Sequence, residues 1–250
     1  GADALLTSTD GDGNVAIGYN ALKMAAVSED FNIAIGYDAM VNADEGTSGT
    51  IDHNIAIGLS ALTGGDLGTS TAKLERCIAI GTNALNSTGT TLNAGNTAQT
   101  GTIAIGYEAL TALTTGARNT AVGYQSGLGL TDHTDCTFVG YQAGKDGDGA
   151  GTAPVSCTYI GSYSGENIDD GAGLNTAVGY AALRGTAADA NTGANNVAIG
   201  ANALSVVTDG GGNVALGKDA GDSITTCNNT VLIGTDAGQA ITVTGSGPAD

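Results

Sequence analysis

The sequence predicts an all-β fold, a parallel β-solenoid, on three observations. A nine-residue phrase recurs twelve times, each copy carries branched apolar residues at strand spacing, and a glycine closes every strand. The copies are NVAIGYNAL (14–22), NIAIGYDAM (32–40), NIAIGLSAL (54–62), CIAIGTNAL (77–85), TIAIGYEAL (102–110), NTAVGYQSG (119–127), CTFVGYQAG (136–144), CTYIGSYSG (157–165), NTAVGYAAL (175–183), NVAIGANAL (196–204), NVALGKDAG (213–221) and TVLIGTDAG (230–238). GADAL at 1–5 repeats the second half of the phrase. The array over 1–238 is therefore entered mid-repeat at Gly1 and holds about 13 rungs, whether as a window on a longer array or as a processed chain.

The pivotal glycines are Gly18, Gly36, Gly58, Gly81, Gly106, Gly123, Gly140, Gly161, Gly179, Gly200, Gly217 and Gly234. Their spacing has a floor of 17 residues, with insertions of one to eight that fall between phrases. Three residues before each glycine the side chain is β-branched, and one residue before it is Ile, Val or Leu, so the two share one strand face. Between them stands Ala, replaced only by Phe138, Tyr159 and Leu232, which makes the opposite face apolar as well. A strand apolar on both faces needs cover on both sides. Ala or Ser always follows three residues after the glycine, a slot too tight for more. Strands of about five residues stacked at about 4.8 Å give a rod on the order of 60 Å long. A coil this small encloses little volume. Several chains are therefore expected to wrap together, three around one axis being the favoured number, although spacing does not set it, and Ala104→Phe is expected to disrupt that assembly by overpacking.

Composition agrees. With 42 Gly, 2 Pro, no Trp and 4% aromatics, a conventional core of large side chains is excluded, whereas stacked repeats bury one another. The balance of 25 acidic against 7 basic residues, net −18, repels phosphate backbones and anionic lipid, which excludes nucleic acid as a partner and suits a saline or extracellular setting. No apolar run approaches the roughly 20 residues that cross a bilayer, so no membrane span is expected.

The repeated N-x-A-I-G-x-x-A resembles the head repeats of trimeric autotransporter adhesins, and NTAVGYQSG and CTFVGYQAG resemble still more the repeats of phage and marine viral tail-fibre proteins. The resemblance covers 1–238 and implies a left-handed parallel β-roll, homotrimeric and intertwined, on an extracellular or virion fibre. Adhesin heads keep a shorter, more regular repeat, and nothing in this sequence looks like their anchor or coiled-coil stalk.

Six tyrosines, Tyr19, Tyr37, Tyr107, Tyr124, Tyr141 and Tyr180, follow a pivotal glycine directly, which predicts a ladder: either structural stacking or an aromatic strip that grips sugars. Asn opens seven phrases, where stacked amides hydrogen-bond along the axis. Cys77, Cys136 and Cys157 replace that Asn. Cys136 and Cys157 fall on adjacent rungs in disulfide range, the alternative being buried thiols. Asp-Gly clusters at 9–14 and 145–151 make Asp10, Asp12, Asp146 and Asp148 weak calcium candidates, with solvated turns the default; no metal site is complete and no cofactor is expected. The isolated His53 and His133 support no zinc site. No nucleophile elbow and no phosphate loop is present, so an enzyme is not expected; a solenoid polysaccharide lyase would need a conspicuous acid/base cluster. The long insertions at 41–53, 63–76 and 86–101 suit either contact with a host-surface glycan or protein, or inert decoration.

The function expected is a non-enzymatic structural segment of an extracellular or virion fibre, such as a phage tail fibre, supporting attachment to a host surface. The alternatives are a bacterial surface adhesin head, or a secreted subunit that polymerises head to tail into a filament. The last is suggested by the mid-phrase start and by the strand-like AITVTG (240–245) within a C-terminal segment, 239–250, that would form a tail or a connection to a further subunit or domain.

Overall fold

The computed structural model describes residues 1–6, 11–23, 29–42, 50–63, 73–86, 100–146, 156–168, 173–186 and 191–241. The chain forms two compact units, Gly1–His133 and Thr134–Asp250. The first holds β1 (Val15–Ile17), β2 (Ile33–Ile35), β3 (Thr50–Asp52), β4 (Ile55–Ile57), β5 (Lys73–Glu75), β6 (Ile78–Ile80), β7 (Ile103–Ile105) and β8 (Thr120–Val122). The second holds β9 (Thr137–Val139), β10 (Thr158–Ile160), β11 (Thr176–Val178), β12 (Val197–Ile199), β13 (Val214–Leu216) and β14 (Val231–Ile233). Each unit is a parallel β-solenoid, and no helix occurs among the described residues. Phrase stacks on phrase in register: Ala34 lies opposite Ala56, Ala79 opposite Ala104, Ala198 opposite Ala215. The opening half-phrase stacks likewise, with Asn20 N donating to Ala2 O at 3.0 Å and Leu5 N to Ala21 O at 3.1 Å.

The strands are three residues long, shorter than the five expected, because the chain turns at the glycine and at the Asn slot. Rung-to-rung bonding nevertheless reaches one residue beyond each end. Ile33 N donates to Asn54 O at 2.8 Å, and Gly58 N to Ile35 O at 2.8 Å. Gly58 has φ 138, and a Cβ there would fall inside van der Waals contact of the Gly81 carbonyl. The glycine is thus demanded both by its dihedral and by the close approach of the next backbone.

The middle residue of each phrase strand points into the coil. It is buried in every phrase strand but the first. Ala104 is fully buried within its own chain, so Ala104→Phe acts on the coil interior and not on assembly as expected from the sequence. Facing the middle residue is the position four after the glycine, and the two trade volume. Ala34 goes with Met40, Ala56 with Leu62, Ala104 with Leu110 and Ala198 with Leu204, all buried. Where the middle residue is large the other is glycine. A Cβ at Gly144 would lie 2.6 Å from the Phe138 ring, one at Gly165 2.6 Å from Tyr159, and one at Gly238 2.7 Å from Leu232. Close packing of so small a cross-section leaves room for one large side chain of the two. At Ala121–Gly127 and Ala215–Gly221 both are small; at the latter, Leu204 and Leu232 close on Gly221 from the neighbouring rungs.

Three further positions in each rung take left-handed backbone. Five before the glycine stand Phe31 (φ 55), His53 (φ 59) and Arg76 (φ 56); two after it Asn20 (φ 53) and Asp38 (φ 53); four after it Leu22 (φ 50) and Met40 (φ 51). Such dihedrals disfavour L-residues other than Asn and Asp. Each of these N–H groups donates to a neighbouring rung: Phe31 N to Asp12 O at 2.9 Å, Asp38 N to Tyr19 O at 3.0 Å, Leu22 N to Ala39 O at 2.9 Å.

The Asn slot is a buried ladder, but of amide to backbone more than amide to amide. Asn32 Oδ1 accepts from Asn54 N at 3.0 Å, while its Nδ2 donates to Ile51 O at 2.8 Å. Asn196 repeats the pattern with Asn213 N at 2.9 Å and Gly210 O at 2.9 Å. Each Asn thus fixes the start of the next strand and the corner before it.

Candidate functional site

Since the middle residue of each strand points inward, the two flanking residues point out. In the first unit these are Val15/Ile17, Ile33/Ile35, Ile55/Ile57, Ile78/Ile80, Ile103/Ile105 and Thr120/Val122. In the second they are Thr137/Val139, Thr158/Ile160, Thr176/Val178, Val197/Ile199, Val214/Leu216 and Val231/Ile233. All are half-buried or exposed; Ile57 is 36% and Ile199 38% accessible. None is ionisable, in a chain of net charge −18. At about 200 Å² for a fully accessible large side chain, this strip and the aromatics beside it present on the order of 1,000 Å² of apolar surface in each unit, beyond the few hundred usual on a monomer.

The tyrosines stand beyond the turn glycines, exposed. Tyr19 stacks on Tyr37 with centroids 5.2 Å apart, and Tyr107 on Tyr124 at 5.1 Å. Tyr141 and Tyr180 are joined through Tyr163, which follows Ser162 and so sits one residue out of the expected slot. Its ring meets Tyr141 edge-on at 5.3 Å and Tyr180 at 5.9 Å. Arg184 lies 5.2 Å from the Tyr163 ring centroid and donates from Nε to Glu166 Oε2 at 2.6 Å. The sequence rule that selected residues directly after a glycine missed Tyr163; the signal was the Ser162-Tyr163 inversion of the phrase.

Comparison with protein-family models, with curated proteins and with solved structures finds no match. The resemblance to fibre and adhesin repeats rests on the phrase alone.

The remaining candidates do not converge on chemistry. Asp12 N donates to Asp30 Oδ1 at 2.6 Å, and Asp146 pairs with Lys145 at 3.1 Å. Asp10 and Asp148 lie outside the described residues. Among the described residues no three His, Cys, Asp or Glu side chains gather to hold a metal ion. His53 stacks on Phe31 at 5.2 Å, and His133 is buried. The four cysteines are thiols. Cys136 and Cys157 nevertheless do stack, Cys157 N donating to Cys136 Sγ at 3.4 Å. Of the long insertions, 43–49, 64–72 and 87–99 lie outside the described residues, but the flanks of the first two are not decoration. Thr50–Asp52 pairs with Lys73–Glu75 as a second parallel sheet and buries Ile51 and Leu74. The readable signal was a lone aliphatic residue followed by an acid just before the phrase, in IDHN and LERC. No helix of the described residues is long and apolar enough to cross a membrane.

Proposed function

We propose that this chain is a non-enzymatic structural segment of an extracellular or virion fibre, in which copies of the solenoid pack along the apolar strip as a parallel homotrimer. The observation that carries the reading is the strip itself, apolar or Thr throughout and uncharged. Chains of net charge −18 repel one another everywhere else, so a second copy finds its least costly approach on this face. Together with the aromatics beside it, the strip presents about 1,000 Å² in each unit, against the roughly 800 Å² per partner that a stable complex buries. Three copies around an axis cover the strip of every chain symmetrically, and closed symmetry leaves no strip free to aggregate. The resulting assembly holds a binding element away from its base. The adhesin-head alternative draws support from one feature, the exposed Tyr141–Tyr163–Tyr180 ladder flanked by Arg184, a surface suited to sugar rings.

Light scattering tests the assembly. A mass near three times 24.2 kDa is expected for the native chain. Ile57→Asp with Ile199→Asp is expected to return the mass to that of one chain while the far-ultraviolet spectrum is unchanged. A folded native chain that scatters as a monomer refutes the reading.

A further inference from the structure

Cys136 and Cys157 occupy, on consecutive rungs of the second unit, the slot that Asn fills in seven phrases. β9 and β10 pair with Thr137 opposite Thr158, so the residues just before them stack at the ladder spacing of about 4.8 Å. That separation lies within the roughly 4.4–6.8 Å between Cα atoms that a disulfide spans. Cys136 Sγ takes the place of an Asn Oδ1 and accepts from Cys157 N at 3.4 Å, which directs it along the axis toward the next rung. Both thiols are buried.

We propose that Cys136 and Cys157 form a disulfide site, a covalent clasp between two adjacent rungs that closes when the chain meets a small-molecule disulfide oxidant. The surroundings divide the labour between the two sulfurs. The Cys136 thiol donates to Cys157, and the Tyr159 hydroxyl and the backbone N–H groups of Asn175 and Leu174 add to the donors around it, which lowers the Cys157 thiol against burial. The Tyr159 hydroxyl, itself buried, lies beside both the Cys157 sulfur and the Asn175 side chain. Cys136 is pushed up, first by its hydrogen bond to Cys157 and then by burial. Cys157 is thus the attacking thiolate and Cys136 the resolving thiol. With glutathione disulfide, Cys157 sulfur attacks one oxidant sulfur and expels a glutathione thiolate. Cys136 gives its proton to that thiolate, attacks the Cys157 sulfur and expels the second glutathione. Two protein thiols are oxidised to one disulfide, and one glutathione disulfide is reduced to two thiols. Cys77 supplies the contrast. In the same slot but between Asn54 and Thr102, it has no sulfur neighbour in register, and burial drives its thiol up to about 12.

The test uses the reduced full chain with glutathione disulfide, read by intact mass and by peptide mapping without reductant. Expected are a loss of two hydrogens, a single link between Cys136 and Cys157, and an unmodified Cys77. A glutathione adduct that persists on Cys157 without closure overturns the proposal. So do links scattered over Cys77 and Cys227. Cys136→Asn with Cys157→Asn restores the amide slot and keeps the fold. Oxidation should raise the melting midpoint of the wild-type chain and leave this variant's unchanged; equal midpoints for oxidised and reduced wild type also overturn the clasp. The outcome is independent of the oligomeric state, so its failure and that of the fibre reading are separable.

Discussion

The trade of volume inside the coil makes a quantitative prediction at Ala104 and Leu110, both fully buried in one rung. Ala104→Phe alone drives a ring into space held by Leu110 and costs about 1–3 kcal/mol, the usual range for overpacking. Leu110→Gly alone loses the contacts of a buried leucine, about 2–5 kcal/mol. Leu110 has φ 51, however, and glycine relieves a left-handed conformation that costs an L-residue about 1–2 kcal/mol. The net loss for Leu110→Gly is therefore about 0–4 kcal/mol. If the two changes acted independently, the double variant would lie about 1–7 kcal/mol below wild type. Together they rebuild the Phe138–Gly144 rung, in which the ring occupies the space a Cβ at 144 would take. The double variant should then stay within about 1.5 kcal/mol of wild type, a coupling near the top of the range seen for residues in contact. Denaturant titration followed by circular dichroism on all four chains measures the cycle. A double variant at or below the sum of the singles refutes the idea that the two positions share one volume.

Three other outcomes follow from the same geometry. Gly106→Ala, at φ 139 with its Cβ against the Gly123 carbonyl, should lose more than about 3 kcal/mol, since neither backbone can retreat; a loss under 1 kcal/mol in the same titration contradicts the close approach. Asn54→Ala leaves Cys77 N and Leu74 O buried without their partners, bonded now at 2.9 and 2.7 Å, and should cost about 2–5 kcal/mol, read as the shift in denaturation midpoint; a cost under about 1 kcal/mol contradicts the buried ladder. Raising the pH toward 12 should remove stability contributed by Cys77: its folded value lies above the ordinary 9.0, so its contribution is complete below about 9 and declines as the pH passes toward 12, and Cys77→Asn should make the alkaline decline in pH-dependent melting shallower than in the native chain.

Most of the architecture was legible because the phrase is self-similar. Twelve copies of β-branched residue, a middle residue that is Ala in nine, aliphatic residue and glycine fix strand positions, parallel pairing and register, and every phrase carries its strand, whereas β3 and β5 lie outside the phrases. The volume trade was written in the same letters, in YQAG and SYSG after Phe138 and Tyr159, but it links positions six residues apart that only a closed coil brings face to face. Which face of the strand is interior was also hidden. Both faces are apolar, and only the diameter of the coil decides that Ala fits inside while Ile and Val remain out. The left-handed residues escaped notice for a different reason. Phe31, Arg76 and Leu22 carry no local preference for that conformation; the neighbouring rung imposes it.

That imposition bears on how the array comes to exist. A rung standing alone would carry several unfavourable dihedrals with its N–H groups pointing at nothing, and so would gain little from closing. Laid on a finished neighbour, the same residues find carbonyls already in place. Folding then resembles crystallisation on a seed, slow to begin and rapid once begun, with the youngest rung always the least secure. Adding a phrase extends such an array without a new nucleus, so lengthening by duplication asks the polypeptide to solve no problem it has not already solved.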